Sequence, residues 1–134
     1  MLARMDTITG SRQGSANVAE AALEAWRVAG EPAEVVEWAV VAGKLGLGST
    51  RAIASAVMVP RVMEIECFLE TNEDLRDVRR DLSILASEGW RVRALMPVAW
   101  LGAAHEALRG LDLHLQGWWT TQERGVKFSS PEAP

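Results

Sequence analysis

The sequence feature that most constrains the fold is a helical pattern with a short apolar run on each side. Within TNEDLRDVRRDLSILASEGW, one helix face carries four apolar residues: Leu75, Val78, Leu82 and Leu85. The flanking runs, RVMEIECFL and WRVRALMPV, have the length and the β-branched content of strands. A strand, a helix and a strand in sequence form a right-handed parallel crossover, so we expect a sheet with a parallel pair.

The other elements follow from similar patterns. SANVAEAALEAWRVAG predicts a helix that begins near Ser15 and ends at Gly30. AEVVEWAVV and TRAIASAVMV predict two strands with a glycine-rich turn, GKLGLGS, between them. AWLGAAHEALRG predicts a short helix, and the alternation in LDLHLQGWW predicts a last strand. The predicted order is α-β-β-β-α-β-α-β, in which the first three strands form an antiparallel meander.

This order predicts a single α/β domain with a mixed sheet and helices packed on it. At 134 residues the chain is the size of one domain and can bury an ordinary core. We expect the domain to span residues 13–119. The polar segment 1–12 and the segment 120–134, which is rich in serine and proline, are expected to be flexible.

Composition limits the classes of partner and compartment. A net charge of -4 provides no general attraction for nucleic acid, so any contact with DNA requires a local basic patch. Cys67 is the single cysteine, which excludes an internal disulfide and a multi-cysteine zinc site. Because no uncharged stretch approaches the roughly 20 residues of a membrane span and no secretory leader is visible, we expect a cytoplasmic protein with no membrane partner.

The triplet EIE, in the predicted third strand, places two carboxylates within an apolar run. Glu64 and Glu66 are two residues apart, so on a strand both project from one face. One interpretation is that this face meets solvent or lies under an arginine of the next helix. The other is that the two carboxylates jointly bind a divalent cation.

The element order over residues 15–97, together with EIE on the third strand, resembles the core of the PD-(D/E)xK nuclease superfamily. This family includes type II restriction enzymes and archaeal Holliday-junction resolvases. The resemblance implies a nuclease dependent on Mg²⁺ or Mn²⁺, in which carboxylates hold the cation and the cation activates water. At the matching positions, Glu64 and Glu66 are the candidate catalytic residues, and Glu20 and Glu64 are the candidate metal ligands. Glu24 is the alternative to Glu20.

The chain departs from the family pattern at two positions. Glu66 stands where the triplet usually has lysine, and RAIASAVMV offers no aspartate on the second strand. The resemblance therefore implies a restriction endonuclease-like domain that is non-catalytic or weakly catalytic and acts on or beside nucleic acid.

Two surface patterns suggest partners. Arg76, Arg79 and Arg80 form a basic stripe at helical spacing and are the candidate DNA-binding residues. The interleaved Asp77 and Asp81 favour the alternative, a mixed, solvated helix face or ion pairs within the helix. The pair Trp118 and Trp119 is a candidate interface. The alternative function is accordingly a small, non-enzymatic interaction module that forms a homodimer.

Overall fold

The structure is a computed structural model, and it describes residues 12–48, 50–123 and 125–134. Apart from its last residue, the predicted flexible N-terminal segment 1–12 lies outside the described residues. The described part of the chain forms four α-helices: α1 (Arg12–Val28), α2 (Trp38–Leu45), α3 (Leu75–Ser87) and α4 (Leu101–Ala107). No helix in that part is both long enough and apolar enough to cross a membrane.

The same residues form one sheet of six strands: β1 (Glu34–Glu37), β2 (Ile53–Val59), β3 (Glu64–Leu69), β4 (Arg91–Pro97), β5 (His114–Thr120) and β6 (Val126–Phe128). The strands lie side by side in chain order. The pairs β1/β2, β2/β3 and β5/β6 are antiparallel, whereas β3/β4 and β4/β5 are parallel. The prediction of a single α/β domain with a mixed sheet is confirmed.

Helices cover both faces of the sheet. Helix α1 packs on one face, which we call the α1 face, through Val18 and Ala22 against a core that includes Phe68. Helices α2, α3 and α4 cover the opposite face, where the leucines and valine predicted for α3 meet Ile65 and Cys67. Strand β3 is buried along its whole length because it is central and covered on both sides. Any charged side chain on β3 must therefore find its partner inside the protein.

Only the first half of one predicted strand is a strand in the structure. The segment predicted as a strand at 33–41 forms β1 up to Glu37 and then turns into α2. Trp38, Val41 and Ala42 lie at positions i, i+3 and i+4 and are all buried, which is helical spacing. Gly46 ends the helix with a left-handed backbone, at φ 66°. The residues predicted to form a turn thus contribute the last part of a helix.

Part of the predicted C-terminal tail is held in the sheet. Residues 126–128 form β6 and pair with β5, with Phe128 opposite Trp118. Further along, the backbone of Glu132 exchanges two hydrogen bonds with Leu115, at 2.8 and 2.9 Å. These contacts use main-chain groups, so a polar side-chain composition does not prevent them.

Candidate functional site

The candidate site lies on the α1 face of the sheet, at the carboxylates of β3. Glu64 and Glu66 are only 7% and 4% exposed. Strand β2 lies on one side of them, since Val59 is opposite Glu64 and Val57 is opposite Glu66. The two acids therefore do not face solvent, which was one of the interpretations of EIE. Two buried carboxylates side by side require a compensating charge.

Arg93 of β4 supplies that charge. The parallel register places Arg93 directly beside Glu66. One guanidinium nitrogen, Nη1, lies 3.3 Å from Oε2 of Glu66, and the other, Nη2, lies 3.6 Å from Oε2 of Glu64. A single arginine thus bridges both acids. It comes from the neighbouring strand, not from the following helix.

Gln116 of β5 extends this polar cluster to a third strand. Its side-chain oxygen accepts a hydrogen bond from Arg93 Nη1 at 3.2 Å, and its amide nitrogen donates to the carbonyl of Ser129 at 2.6 Å. The carbonyl of Ser129 sets the orientation of the amide, because only the nitrogen can donate to it. The segment that follows β6 therefore helps to hold Arg93 in place.

A cavity of about 270 Å³ lies between this polar cluster and α1. Its polar lining is contributed by Glu66, Arg93 and Gln116. The remaining lining is apolar or aromatic: Ala22, Ala25, Trp26 and Ala29 from α1, with Leu95 and Phe128 from the sheet. A small cavity with apolar walls and a few convergent polar groups is the usual form of a ligand site.

Two buried atoms of the cluster have no hydrogen-bond partner among the described residues, namely Oε1 of Glu66 and Nε of Arg93. Burial raises the pKa of Glu66, whereas the Trp26 side chain, as a hydrogen-bond donor, and the charge of the Arg93 guanidinium lower it by less. The carboxylate of Glu64 adds to the rise. The cluster therefore contains a carboxylate that is poorly satisfied in its charged form and has an unused acceptor.

We expect Glu66→Gln to change the pH dependence of stability. Because the pKa of Glu66 is raised in the native state from its ordinary value of 4.5, this group favours folding most below that ordinary value and loses the contribution as pH rises through the native pKa. The amide does not titrate, so the variant should gain stability relative to wild type between acidic and neutral pH. Urea unfolding across that range measures the difference.

The matched control for this prediction is Glu37→Gln, which changes an exposed carboxylate of β1. Its stability relative to wild type should not vary with pH in the same way. A Glu66→Gln variant whose stability runs parallel to wild type from acidic to neutral pH would contradict the expectation.

In this arrangement each of the two acids has an oxygen within 3.6 Å of the guanidinium of Arg93. The described residues contain no group of three or more histidine, cysteine, aspartate or glutamate side chains able to hold a metal ion. The residues of β2 on the α1 face are Ser55, Val57 and Val59, which lie opposite Phe68, Glu66 and Glu64 of β3. Strand β2 therefore adds no carboxylate to the site.

The structure places the candidate first-helix ligands at the surface. Glu20 is exposed on α1, between residues that pack on the sheet. Glu24 is also exposed and pairs with Arg27 of the same helix, at 3.3 Å. Glu64, in contrast, is buried and bridged by Arg93. The assignment of Glu20 and Glu64 to one metal site stays a prediction.

The candidate DNA-binding arginines lie on the other side of the sheet from Glu64 and Glu66, because α3 packs on the opposite face. Arg79 donates to the backbone carbonyls of Ala107 and Arg109, at 3.2 and 2.9 Å, and so ties α3 to the end of α4. Arg80 pairs with Asp77 and Asp81 of its own helix. Arg76 is exposed and makes no ion pair with any described residue.

The candidate interface residues lie on opposite faces of β5. Trp118 is buried in the core beneath α1, at 4% exposed. Trp119 is 42% exposed and projects from the other side. Of the two, only Trp119 has surface available for a partner.

Sequence reasoning considered Arg93 only for a phosphate-binding surface and did not connect Arg93, Gln116 or Trp26 with Glu64 and Glu66. A signal for Arg93 was present, because RVR in β4 repeats the spacing of EIE in β3, and parallel neighbours bring the two triplets side by side. No comparable signal marks Gln116 or Trp26. Their roles depend on a cavity that α1 forms with the sheet.

Comparison with protein-family models, with curated proteins and with solved structures finds no match to this chain.

Proposed function

We propose that this chain is a non-catalytic domain with the element order of the restriction endonuclease-like core, acting on or beside nucleic acid. The observation that carries the proposal is the bridge from Arg93 to Glu64 and Glu66. In this proposal a protein guanidinium takes the place of the cation, so no metal-bound water is available for cleavage.

Two further observations support this proposal. Helix α1 packs on the face that carries the acids, and α3 crosses from β3 to β4 on the opposite face. The second strand adds no carboxylate on the acid-bearing face. The first observation agrees with the proposed architecture, and the second agrees with lost catalysis.

The buried single thiol of Cys67 is compatible with a reducing compartment, and we propose the cytoplasm as the site of action.

A combined cleavage and binding experiment tests the proposal. We expect purified protein not to cut single- or double-stranded DNA with Mg²⁺ or Mn²⁺, and we expect neither cation to change its melting temperature. At low salt the protein should bind DNA, with an affinity that falls as the salt concentration rises. Arg76→Ala should reduce the slope of the logarithm of the DNA-binding constant against the logarithm of salt concentration by about 1. Arg27→Ala, which replaces an exposed arginine of α1, is the control and should leave that slope unchanged.

Cleavage that disappears in Glu64→Gln would overturn the non-catalytic assignment. Absence of DNA binding at low salt would overturn the proposal that the chain acts on or beside nucleic acid.

Self-association is a second candidate function, favoured by a sheet edge with which no other described strand pairs. Strand β1 lies at one end of the sheet, and its Val35 is 38% exposed. A free strand edge with apolar side chains is a template for pairing with a second copy. Trp119 adds an exposed aromatic surface on β5. Light scattering of the protein without DNA tests this candidate. A mass that rises with concentration would support self-association, and a constant monomer mass would contradict it.

A further inference from the structure

Trp119 is a large aromatic residue on an exposed part of the sheet. It is 42% exposed and projects from the face of β5 opposite to the buried Trp118. The turn Val98–Trp100 lies directly on this face, because a Cβ atom added to Gly117 would be only 3.0 Å from Cα of Val98. Trp119 lies two residues further along the strand, where much of its side chain remains in water. A ring held on a strand in this way is available to a partner.

A cation lies beside this ring. The antiparallel register places Lys127 of β6 directly opposite Trp119, so the two side chains project from the same face with their Cβ atoms about 5 Å apart. Lys127 is exposed, and no described residue forms an ion pair with it. Strands β5 and β6 contain no aspartate or glutamate. We call the pair of Trp119 and Lys127 the Trp119 surface.

The Trp119 surface matches the two parts of a nucleotide. A base can stack on the indole, and a phosphate can pair with the ammonium group. A protein partner fits less well, because a stable protein interface buries about 800 Å² on each side around an apolar centre. Val98 is the only other exposed large apolar residue among those described from β4 to β6. One base needs only one ring.

The position of the ring restricts the form of the nucleic acid. In a duplex the bases are paired and stacked on one another, so the face of a base is not available without unstacking, which costs free energy. In a single strand the bases can turn outward and stack on an aromatic side chain at much lower cost. Trp119 is fixed on the sheet, so a flexible single strand is the better match.

We propose that the Trp119 surface binds single-stranded nucleic acid, with one base stacked on Trp119 and a neighbouring phosphate paired with Lys127. The proposal rests on the function proposed above, because it names the form of nucleic acid on which the chain acts and two residues that contact it. The Trp119 surface shares no residue with the arginines of α3, so the two contacts can be tested separately.

Fluorescence anisotropy of labelled oligonucleotides with the full chain at low salt tests the stacking. We expect an oligo(dT) strand of about 16 nucleotides to bind more tightly than a mixed-sequence duplex of the same length. Trp119→Ala should weaken binding of the single strand about tenfold, whereas Trp119→Phe, which keeps a ring, should retain most of the affinity. A strand of the same length without bases should bind more weakly than oligo(dT), and Trp119→Ala should not weaken it further.

The phosphate contact is tested through the salt dependence. Lys127→Ala should reduce the slope of the logarithm of the binding constant for oligo(dT) against the logarithm of salt concentration by about 0.7. Lys44→Ala, which replaces an exposed lysine of α2, is the control and should leave that slope unchanged. Val40→Ala, at a position of α2 that is 48% exposed, is the corresponding control for Trp119→Ala. Circular dichroism checks that each variant folds.

Three results would overturn the proposal: binding of the single strand that Trp119→Ala leaves intact, equal affinity for strands with and without bases, or a preference for the duplex. A mass that rises with protein concentration in wild type but not in Trp119→Ala would also overturn it, because the surface would then bind a second copy. In each case, duplex binding that depends on Arg76 would leave the proposed function standing. Cleavage of DNA would contradict the non-catalytic assignment alone.

Discussion

Replacing Arg93 with methionine should lower the free energy of unfolding by about 3–5 kcal/mol, because the change leaves two buried carboxylates without their counter-charge. Glu64 and Glu66 are 7% and 4% exposed, so water compensates the lost charge less well than the guanidinium does. Methionine is close to arginine in length and keeps the apolar part of the side chain. Chemical denaturation at neutral pH measures the loss.

Arg91→Met is the matched control for this prediction. Arg91 lies on the same strand and face, two residues from Arg93 and in register with Glu64, but it is exposed. Removing an exposed charge is expected to change stability by no more than about 1 kcal/mol. Similar losses in the two variants would contradict the view that Arg93 is the counter-charge of the site.

A second substitution tests the physical cause. If the loss in Arg93→Met comes from unpaired carboxylates, then adding Glu66→Gln should restore part of the stability, because one of the buried charges is removed. Glu66→Gln should then add more stability to Arg93→Met than it adds to wild type. Simple addition of the two single effects would contradict coupling between the side chains.

Phe68→Ala should lower the free energy of unfolding by about 3–5 kcal/mol. Phe68 is 1% exposed on β3 and belongs to the core in which α1 meets the sheet. Leu95 of the neighbouring strand lies beside it, and Val18 and Ala22 of α1 belong to the same core. Removing the ring creates a void beneath α1, so the loss includes a cavity contribution as well as lost apolar burial. Urea unfolding followed by tryptophan fluorescence measures it.

Trp119→Ala is the control for the core substitution. Trp119 is also a large aromatic residue, but it is 42% exposed and lies on the other face of the sheet. Its truncation should cost clearly less than that of Phe68, since much of the ring is already in water. Equal losses at the two positions would contradict the assignment of Phe68 to the core beneath α1.

Elements with strong local patterns were predictable from sequence. The apolar face of α3 was predicted from four residues at helical spacing, and Val78, Leu82 and Leu85 are buried on the observed helix. The strands β3 and β4 were predicted from short β-branched runs, and the helix between them required their parallel pairing. In each case the local preference and the tertiary packing favour the same structure.

Elements whose stability comes from neighbours were harder to predict. Helix α2 spans only Trp38–Leu45 and follows directly from a strand, so its short pattern was interpreted as a continuation of that strand. Strand β6 has three residues and is defined by main-chain hydrogen bonds to β5. Such bonds are possible for nearly any residue, so composition carries little information about them.

The candidate site divides in the same way. The spacing of Glu64 and Glu66 alone determined that both carboxylates share one face of a strand, because side chains alternate along an extended chain. The tertiary structure alone decided that this face is buried, that Arg93 bridges the acids and that α1 forms a cavity with the sheet beside them. The reason is physical: strand periodicity is local, whereas burial, counter-charge and enclosure depend on residues distant in the chain that only the folded sheet brings together.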